Sequence, residues 1–192
     1  MTIKLIGSSS GSTSIDAPAA GGDRTITCPD ATGTIALTSN VLFTSYAILE
    51  HQESDGTGGG DLTAGDWRTR PLNTEVADPD GIVSISSNQF TLQAGTYLIE
   101  WRMPGYNCET WQSRLQNITD SSTVGRGESH YTRSLYHQDW GEGAVRVTIG
   151  GAKAFELQQY ANSTQNTNGM GFATSDSTGV EVYARVKIWK EL

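Results

Sequence analysis

Thr96-Tyr97-Leu98-Ile99-Glu100-Trp101-Arg102-Met103 alternates without a fault. Tyr97, Ile99, Trp101 and Met103 fall on one side, and Leu98, Glu100 and Arg102 on the other. Successive side chains of a strand point to opposite faces, so this period of two predicts a strand with one buried face. Two further stretches repeat the pattern. Residues 144–149 set Val145, Val147 and Ile149 against Arg146 and Thr148. Residues 179–190 set Val180, Val182, Ala184, Val186 and Ile188 against Tyr183, Arg185, Lys187 and Trp189. No window of helical length carries an i, i+3, i+4 apolar stripe.

Outward from these three, strands are predicted over 43–52, 67–72, 82–85, 88–93, 108–118, 122–136 and 153–161. They follow one another at about ten residues, the spacing of a sandwich or jelly roll. Turn chemistry separates them: Asp55-Gly56, Gly58-Gly59-Gly60, Asp80-Gly81, Ala94-Gly95 and Gly150-Gly151. Composition agrees. Hydrophobic residues are 36% and charged residues 18% of 192, and the balance goes to 22 Gly, 23 Thr and 19 Ser. Thr, Ser and Gly disfavour helix interiors and suit strands and turns, which excludes a helical bundle or coiled coil.

The character changes near residue 42. Residues 1–41 hold no aromatic residue, whereas all 16 of the Trp, Tyr and Phe (5, 7 and 4) lie beyond them. This segment reads as short alternating pieces that carry Ile3 and Leu5, Ile15, Ile26, and Ile35 and Leu37. Fragments this short are marginal alone. Either the segment is disordered or identical segments from other chains complete its core; the strand periodicity favours the second. Two domains follow, 1–41 as an attachment and intertwining β-segment and 42–192 as the main body. Fully extended, 41 residues reach at most about 130 Å, and the turn-rich breaks shorten that to a few tens of ångströms.

Thirteen basic and 21 acidic residues give a net charge of −8. A phosphate-binding surface needs clustered Lys and Arg, so nucleic acid is not an expected partner. An anionic membrane would repel the chain, no apolar run is long enough to span one, and Met1–Gly7 is too short and polar for a signal-peptide core. Cys28 and Cys108 form no CxxC pair and are too few for a zinc site; two free thiols are expected, one long-range disulfide being the alternative.

Catalytic signatures are missing: there is no GxSxG, no HExxH and no phosphate loop. His51, His130 and His137 share no metal spacing. Asp55–Asp61 contains two acids around a glycine run, which reads as a flexible turn more readily than as a calcium loop. Asp139 and Glu142 are a poor match to a glycosidase pair. No cofactor, no metal and no enzymatic activity are therefore expected. The densest local cluster is His130, Tyr131, Tyr136, His137 and Trp140, with Tyr106 and Trp111 around Cys108 as a second. Aromatics beside polar loops suit stacking on sugar faces. A structural role in the contact between chains is the favoured reading of both clusters.

Two parts of the pattern carry a resemblance. Cys28-Pro29-Asp30-Ala31-Thr32-Gly33-Thr34-Ile35-Ala36-Leu37-Thr38 resembles the short β-segments common in bacteriophage fibre proteins. Gly65–Asn73, Ala94–Trp101, Phe155–Tyr160 and Glu181–Ile188 together resemble a TNF/C1q-type jelly roll of the kind found at phage fibre tips. The resemblance implies an all-β sandwich, a homotrimer about a threefold axis, a place on the virion surface and no enzymatic role. In such a trimer a neighbouring copy would cover the second face of the last strand. The candidate interface is Leu98, Glu100, Arg102, Arg146, Tyr183, Arg185 and Trp189.

Two roles stay open. One is capsid decoration or cement, seated on the major capsid protein through Ile3, Leu5, Ile15, Ile26, Ile35 and Leu37. The other is a short tail fibre or fibre tip among tail components, holding a host-surface glycan through His130, Tyr131, Tyr136, His137 and Trp140. The short reach of the N-terminal segment favours the first. A depolymerase-type enzyme is the remote third.

Overall fold

The computed structural model describes residues 3–6, 12–15, 42–132, 136–177 and 179–191. They divide into two units, described separately. The first holds β1 (Ile3–Ile6) and β2 (Ser12–Ile15), an antiparallel pair with Ile3 opposite Ile15 and Leu5 opposite Thr13. Cys28, Ile26, Ile35 and Leu37 lie outside the described residues.

The second unit is all strand and turn. Its elements are β3 (Phe43–Ser54), β4 (Arg68–Thr69), β5 (Thr74–Ala77), β6 (Val83–Ser86), β7 (Gln89–Leu92), β8 (Gly95–Tyr106), β9 (Glu109–Asn117), β10 (Ser122–Thr132), β11 (Gln138–Ile149), β12 (Lys153–Ala161) and β13 (Val180–Glu191). A five-stranded sheet runs β11-β8-β13-β3-β5. A six-stranded sheet runs β10-β9-β12-β7-β6, with β4 also paired to β12. Every pairing is antiparallel. Among the described residues no helix is long and apolar enough to cross a membrane.

The core lies between the sheets. Tyr97, Ile99, Trp101 and Met103 of β8 are buried, as the alternation predicts, and they meet Trp111, Leu115, Phe155 and Leu157 of the facing sheet. Burying each such side chain stabilises by about 1.5–3 kcal/mol. Trp101 Nε1 donates to Ser113 Oγ at 2.9 Å, a hydrogen bond from one sheet to the other. Such a bond satisfies a buried indole that would otherwise cost free energy. Phe90 and Phe155 stack at 5.5 Å near the far edge of the six-stranded sheet.

Three expectations are corrected. β11 begins at Gln138, six residues before the predicted 144, because Trp140-Gly141-Glu142-Gly143 reads as a loop. These glycines serve packing instead. A Cβ on Gly143 would lie 2.1 Å from Trp101 and one on Gly141 2.7 Å from Trp111, so only a bare backbone lets the two indoles fill the core there. β4 is two residues of the predicted six, since Arg70 turns inward and Pro71 has no N–H to give a ladder.

The last strand is the third. A register shift between Val182 and Ala184 places one extra residue against β3. Beyond such a bulge the faces exchange. Glu181 and Tyr183 therefore point inward, while Val180 and Val182, assigned to the core by simple alternation, are 58% and 37% exposed. Ala184, Val186 and Ile188 stay buried. Edge strand β5 was not predicted at all: Thr74-Glu75-Val76-Ala77 has no buried face to give it away.

Candidate functional site

The register of the five-stranded sheet places its outward residues in cross-strand rows. One row is Arg146, Leu98, Trp189 and Tyr46. The next is Ala144, Glu100, Lys187 and Ile48. The third is Glu142, Arg102, Arg185 and Glu50. Leu98, Glu100, Arg102, Arg146, Arg185 and Trp189 thus share one outer face. Tyr183 does not: the bulge turns it into the core at 2% exposure, where its hydroxyl donates to Thr57 O at 2.7 Å. Desolvation raises its pKa to about 12. Tyr46, Ile48 and Glu50 join the face unforeseen, although the alternation of residues 43–52 contains them.

The rows differ in chemistry. The first is aromatic and aliphatic, with Tyr46 45% exposed and Phe43 6.2 Å from Trp189. Arg146 closes its end with a two-pronged bond to Glu191, 2.7 Å at each prong, which raises the guanidinium and lowers the carboxyl. The third row is charged throughout, with Arg102 and Arg185 side by side and a glutamate at each end. Arg102 Nε lies 3.3 Å from Glu142 Oε1. Arg185 Nε donates to Glu50 Oε1 at 2.6 Å, and Gln52 donates to its other oxygen at 2.7 Å. Glu50 is buried on the single chain by these two partners. The Arg102 guanidinium also sits 4.7 Å over the Trp140 ring. A concavity of about 620 Å³ opens here, walled by Arg102, Trp140, Glu142, Arg185, Lys187 and Val182.

The residues of 130–140 are spread over three environments. His130 turns inward, stacks on Trp111 at 4.6 Å and lies 2.8 Å from Asp139 Oδ2. Desolvation pushes the Asp139 carboxyl up, but the hydrogen bonds from His130 and Trp140 N and the charges of His130 and His137 together outweigh it and hold the pKa below the usual range. Trp140 belongs to the face just described. Tyr131, Tyr136 and His137 stand exposed, Tyr136 at 81%. Tyr106, Cys108 and Trp111 are core residues rather than surface contacts, and the free Cys108 thiol rests 3.4 Å from Thr132 Oγ1.

The acids of 55–61 are engaged by backbone: Asp55 accepts from Ser177 N and Asp61 from Thr167 N. Among the described residues no three His, Cys, Asp or Glu side chains converge as a metal site.

No family model matches the chain, and no curated protein matches it. Solved structures do. Murine APRIL at pH 8.0 superposes with TM-score 0.51 and 8% identity over 76% of this chain and 98% of that one. The Eiger TNF from S. frugiperda gives 0.50 and 11% over 78% and 93%. The PRD1 vertex protein P5 gives 0.43 and 17% over 77% and 97%. With its two antiparallel sheets, residues 43–191 form an all-β jelly roll of the TNF/C1q type.

Proposed function

We propose that this chain is a non-enzymatic structural protein of a bacteriophage virion, a homotrimeric knob that decorates the capsid and is held there by its N-terminal segment. The observation that carries the trimer is the outer face of the five-stranded sheet. The row of Leu98, Trp189 and Tyr46 sets apolar side chains on an outer face, and the row of Glu142, Arg102, Arg185 and Glu50 sets charges on the same face, a mixture well suited to a second copy of itself. Arg102, Glu142 and Lys187 offer the charges for cross-chain pairing, and the concavity beside Trp140 offers a seat for a neighbouring edge. The jelly-roll fold supports this reading.

The virion assignment rests on the likeness of residues 28–38 to phage fibre segments. Ile3, Leu5, Ile15, Ile26, Ile35 and Leu37 are the side chains proposed to seat the segment on the major capsid protein. Three arms on one trimer multiply a weak contact through effective concentration. A second reading, a tail-fibre tip holding a host-surface glycan, is favoured by the exposure of Tyr131 and Tyr136.

Light scattering on the full chain tests the trimer. The wild type should give three times the chain mass, and Trp189→Glu should give one. A monomeric wild type would sink the reading. Removing residues 1–41 should abolish attachment to virions and leave a soluble trimer. Antibody–gold labelling of intact particles separates the two locations: label over the head supports decoration, and label at the tail supports adhesion.

A further inference from the structure

The outer face of the six-stranded sheet is chemically unlike that of the five-stranded one. The register places Arg126, Arg114, Gln158 and Thr69 in one cross-strand row and Ser129, Gln112 and Tyr160 in the next. Trp67 lies over them, its ring 4.2 Å from the Arg114 guanidinium carbon, 5.3 Å from that of Arg126 and 5.7 Å from the Tyr160 ring.

Arg114 and Arg126 stand directly opposite one another on β9 and β10. Like charges at that position destabilise a sheet. Among the described residues neither has a carboxylate within ion-pair distance, in a chain with 21 acids to 13 bases. Their partners are neutral: Arg114 donates to Gln158 Oε1 at 2.8 Å and Thr123 Oγ1 at 3.3 Å, and Arg126 to Gln112 Oε1 at 3.5 Å. Two acids act on Arg114 from beyond ion-pair distance: Asp66, which accepts from Trp67 N, and Glu156, which takes hydrogen bonds from Thr69, Gln89 and Gln158. Desolvation first and the Arg126 charge second lower the Arg114 pKa against the weaker opposing pull of Asp66 and Glu156, so an anion arriving there would relieve a repulsion still present.

We propose that this face, centred on Arg114, Arg126 and Trp67, binds an acidic polysaccharide. A uronate carboxylate lies between the two guanidinium groups and the neighbouring sugars rest along Tyr160 and Gln112. Two forked cations recognise a carboxylate. Tyr160 supplies an apolar surface for sugar C–H groups, and the amides of Gln112 and Gln158 suit hydroxyls. A flat row across strands suits a polymer rather than a small enclosed ligand. Nucleic acid is disfavoured because two arginines in a chain of net charge −8 neutralise too few phosphates. The inference stands apart from the trimer reading, which uses the other sheet, and from the virion reading, which uses the N-terminal segment.

The test is calorimetric titration of the full chain with hexasaccharides of galacturonate, mannuronate and glucuronate at low salt. Maltohexaose serves as the neutral control and sodium sulfate as the free anion. At least one hexauronate should bind, more weakly at high salt, and maltohexaose should not. Arg126→Gln should weaken binding about tenfold, the loss of one charge-assisted contact. Arg126 is exposed, so its variant should keep the wild-type thermal transition; Tyr160→Ala provides an independent second variant. Failure of all three hexauronates overturns the proposal, as does equal binding of maltohexaose. Sulfate binding as tight as the hexauronate would reduce the site to an anion site without saccharide recognition. An unchanged affinity in Arg126→Gln would place the ligand elsewhere.

Discussion

Arg70 Nη2 donates to Gln159 Oε1 at 2.6 Å, and neither residue touches solvent. The same nitrogen donates to Pro104 O at 2.7 Å, and Nη1 donates to Met170 O. A buried cation is thus held by neutral oxygens drawn from β8, β12 and the segment before β13. Burial pushes its pKa down to about 9 against the weaker opposing pull of Cys108 and Tyr183. A buried charge is costly, but leaving Met170 O and Gln159 Oε1 unpaired is costlier, although Pro104 O would keep its bond from Gln159 Nε2 at 3.2 Å. Arg70→Met should therefore destabilise by about 3 kcal/mol or more, read as a fall in the urea midpoint at unchanged slope. A variant as stable as the wild type would mean that the hydrogen bonds do not offset the burial of the charge.

His51 supplies a pH dependence. Its ring is buried, 5.4 Å from the Tyr183 ring, with Nε2 3.1 Å from Glu53 Oε1. The Glu53 charge favours the imidazolium. Burial first and the Arg70 charge second win, and the pKa falls from 6.5 to about 3. Between those values the unfolded chain takes up a proton that the native chain refuses. Stability from this group is complete above pH 6.5 and is lost as the pH falls toward 3. At about pH 4.5 the loss should be roughly 2–3 kcal/mol. Urea titrations at neutral and acid pH should show it, and His51→Gln should have a visibly flatter profile.

Glu181 acts as a clamp between two loops. Its carboxylate accepts from Ser175 N at 2.8 Å, Thr174 N at 3.0 Å and Gly56 N at 3.2 Å. The first two bonds do most to hold its pKa below the ordinary value. Glu181→Gln replaces one acceptor oxygen by a donor and removes the charge. A cost of about 1.5–3 kcal/mol is expected above the ordinary carboxyl pKa. In the wild type this contribution disappears as the pH drops through the lowered pKa. Amide exchange at Thr174 and Ser175 should quicken in the variant at neutral pH; unchanged exchange would show that the loops hold without the carboxylate.

Gly171 makes room for Tyr183. Its φ is +136°, and a Cβ there would lie 2.1 Å from Tyr183 Cδ1. Gly171→Ala must displace a buried ring and strain the backbone, at a cost of about 3 kcal/mol. Tyr183→Phe loses only the bond to Thr57 O and should cost about 1 kcal/mol. Thermal unfolding should order the three as wild type, Tyr183→Phe, Gly171→Ala. The reverse order of the two variants would show the ring to be free to move.

Much of the fold is legible residue by residue. The core face of β8 follows from Tyr97, Ile99, Trp101 and Met103, and β12 falls on its predicted 153–161. Six of the seven residues assigned to a shared face occupy one, because alternation along β8, β11 and β13 keeps their side chains parallel. Tyr183 breaks the set because a bulge is a property of the pairing between β13 and β3, and no single strand announces it. The first half of β11 is hidden because glycine reads as a turn until the indoles of Trp101 and Trp111 are seen to need its space.

The site on the six-stranded sheet was illegible for a related reason. Trp67, Arg114, Arg126 and Tyr160 come from four separate stretches, and none carries a recognisable spacing. The same holds for His51 and Arg70, which read as ordinary polar residues.

The amino-acid sequence by itself determined an all-β chain, most of its strands along the chain and the core face of β8, since those depend on alternation and turn chemistry within a few neighbouring residues. Only the tertiary structure decided which polar groups are buried, where the last strand changes face and which charges meet across strands. Those outcomes depend on register and sheet stacking, which join residues a hundred positions apart and leave no local trace in either strand alone.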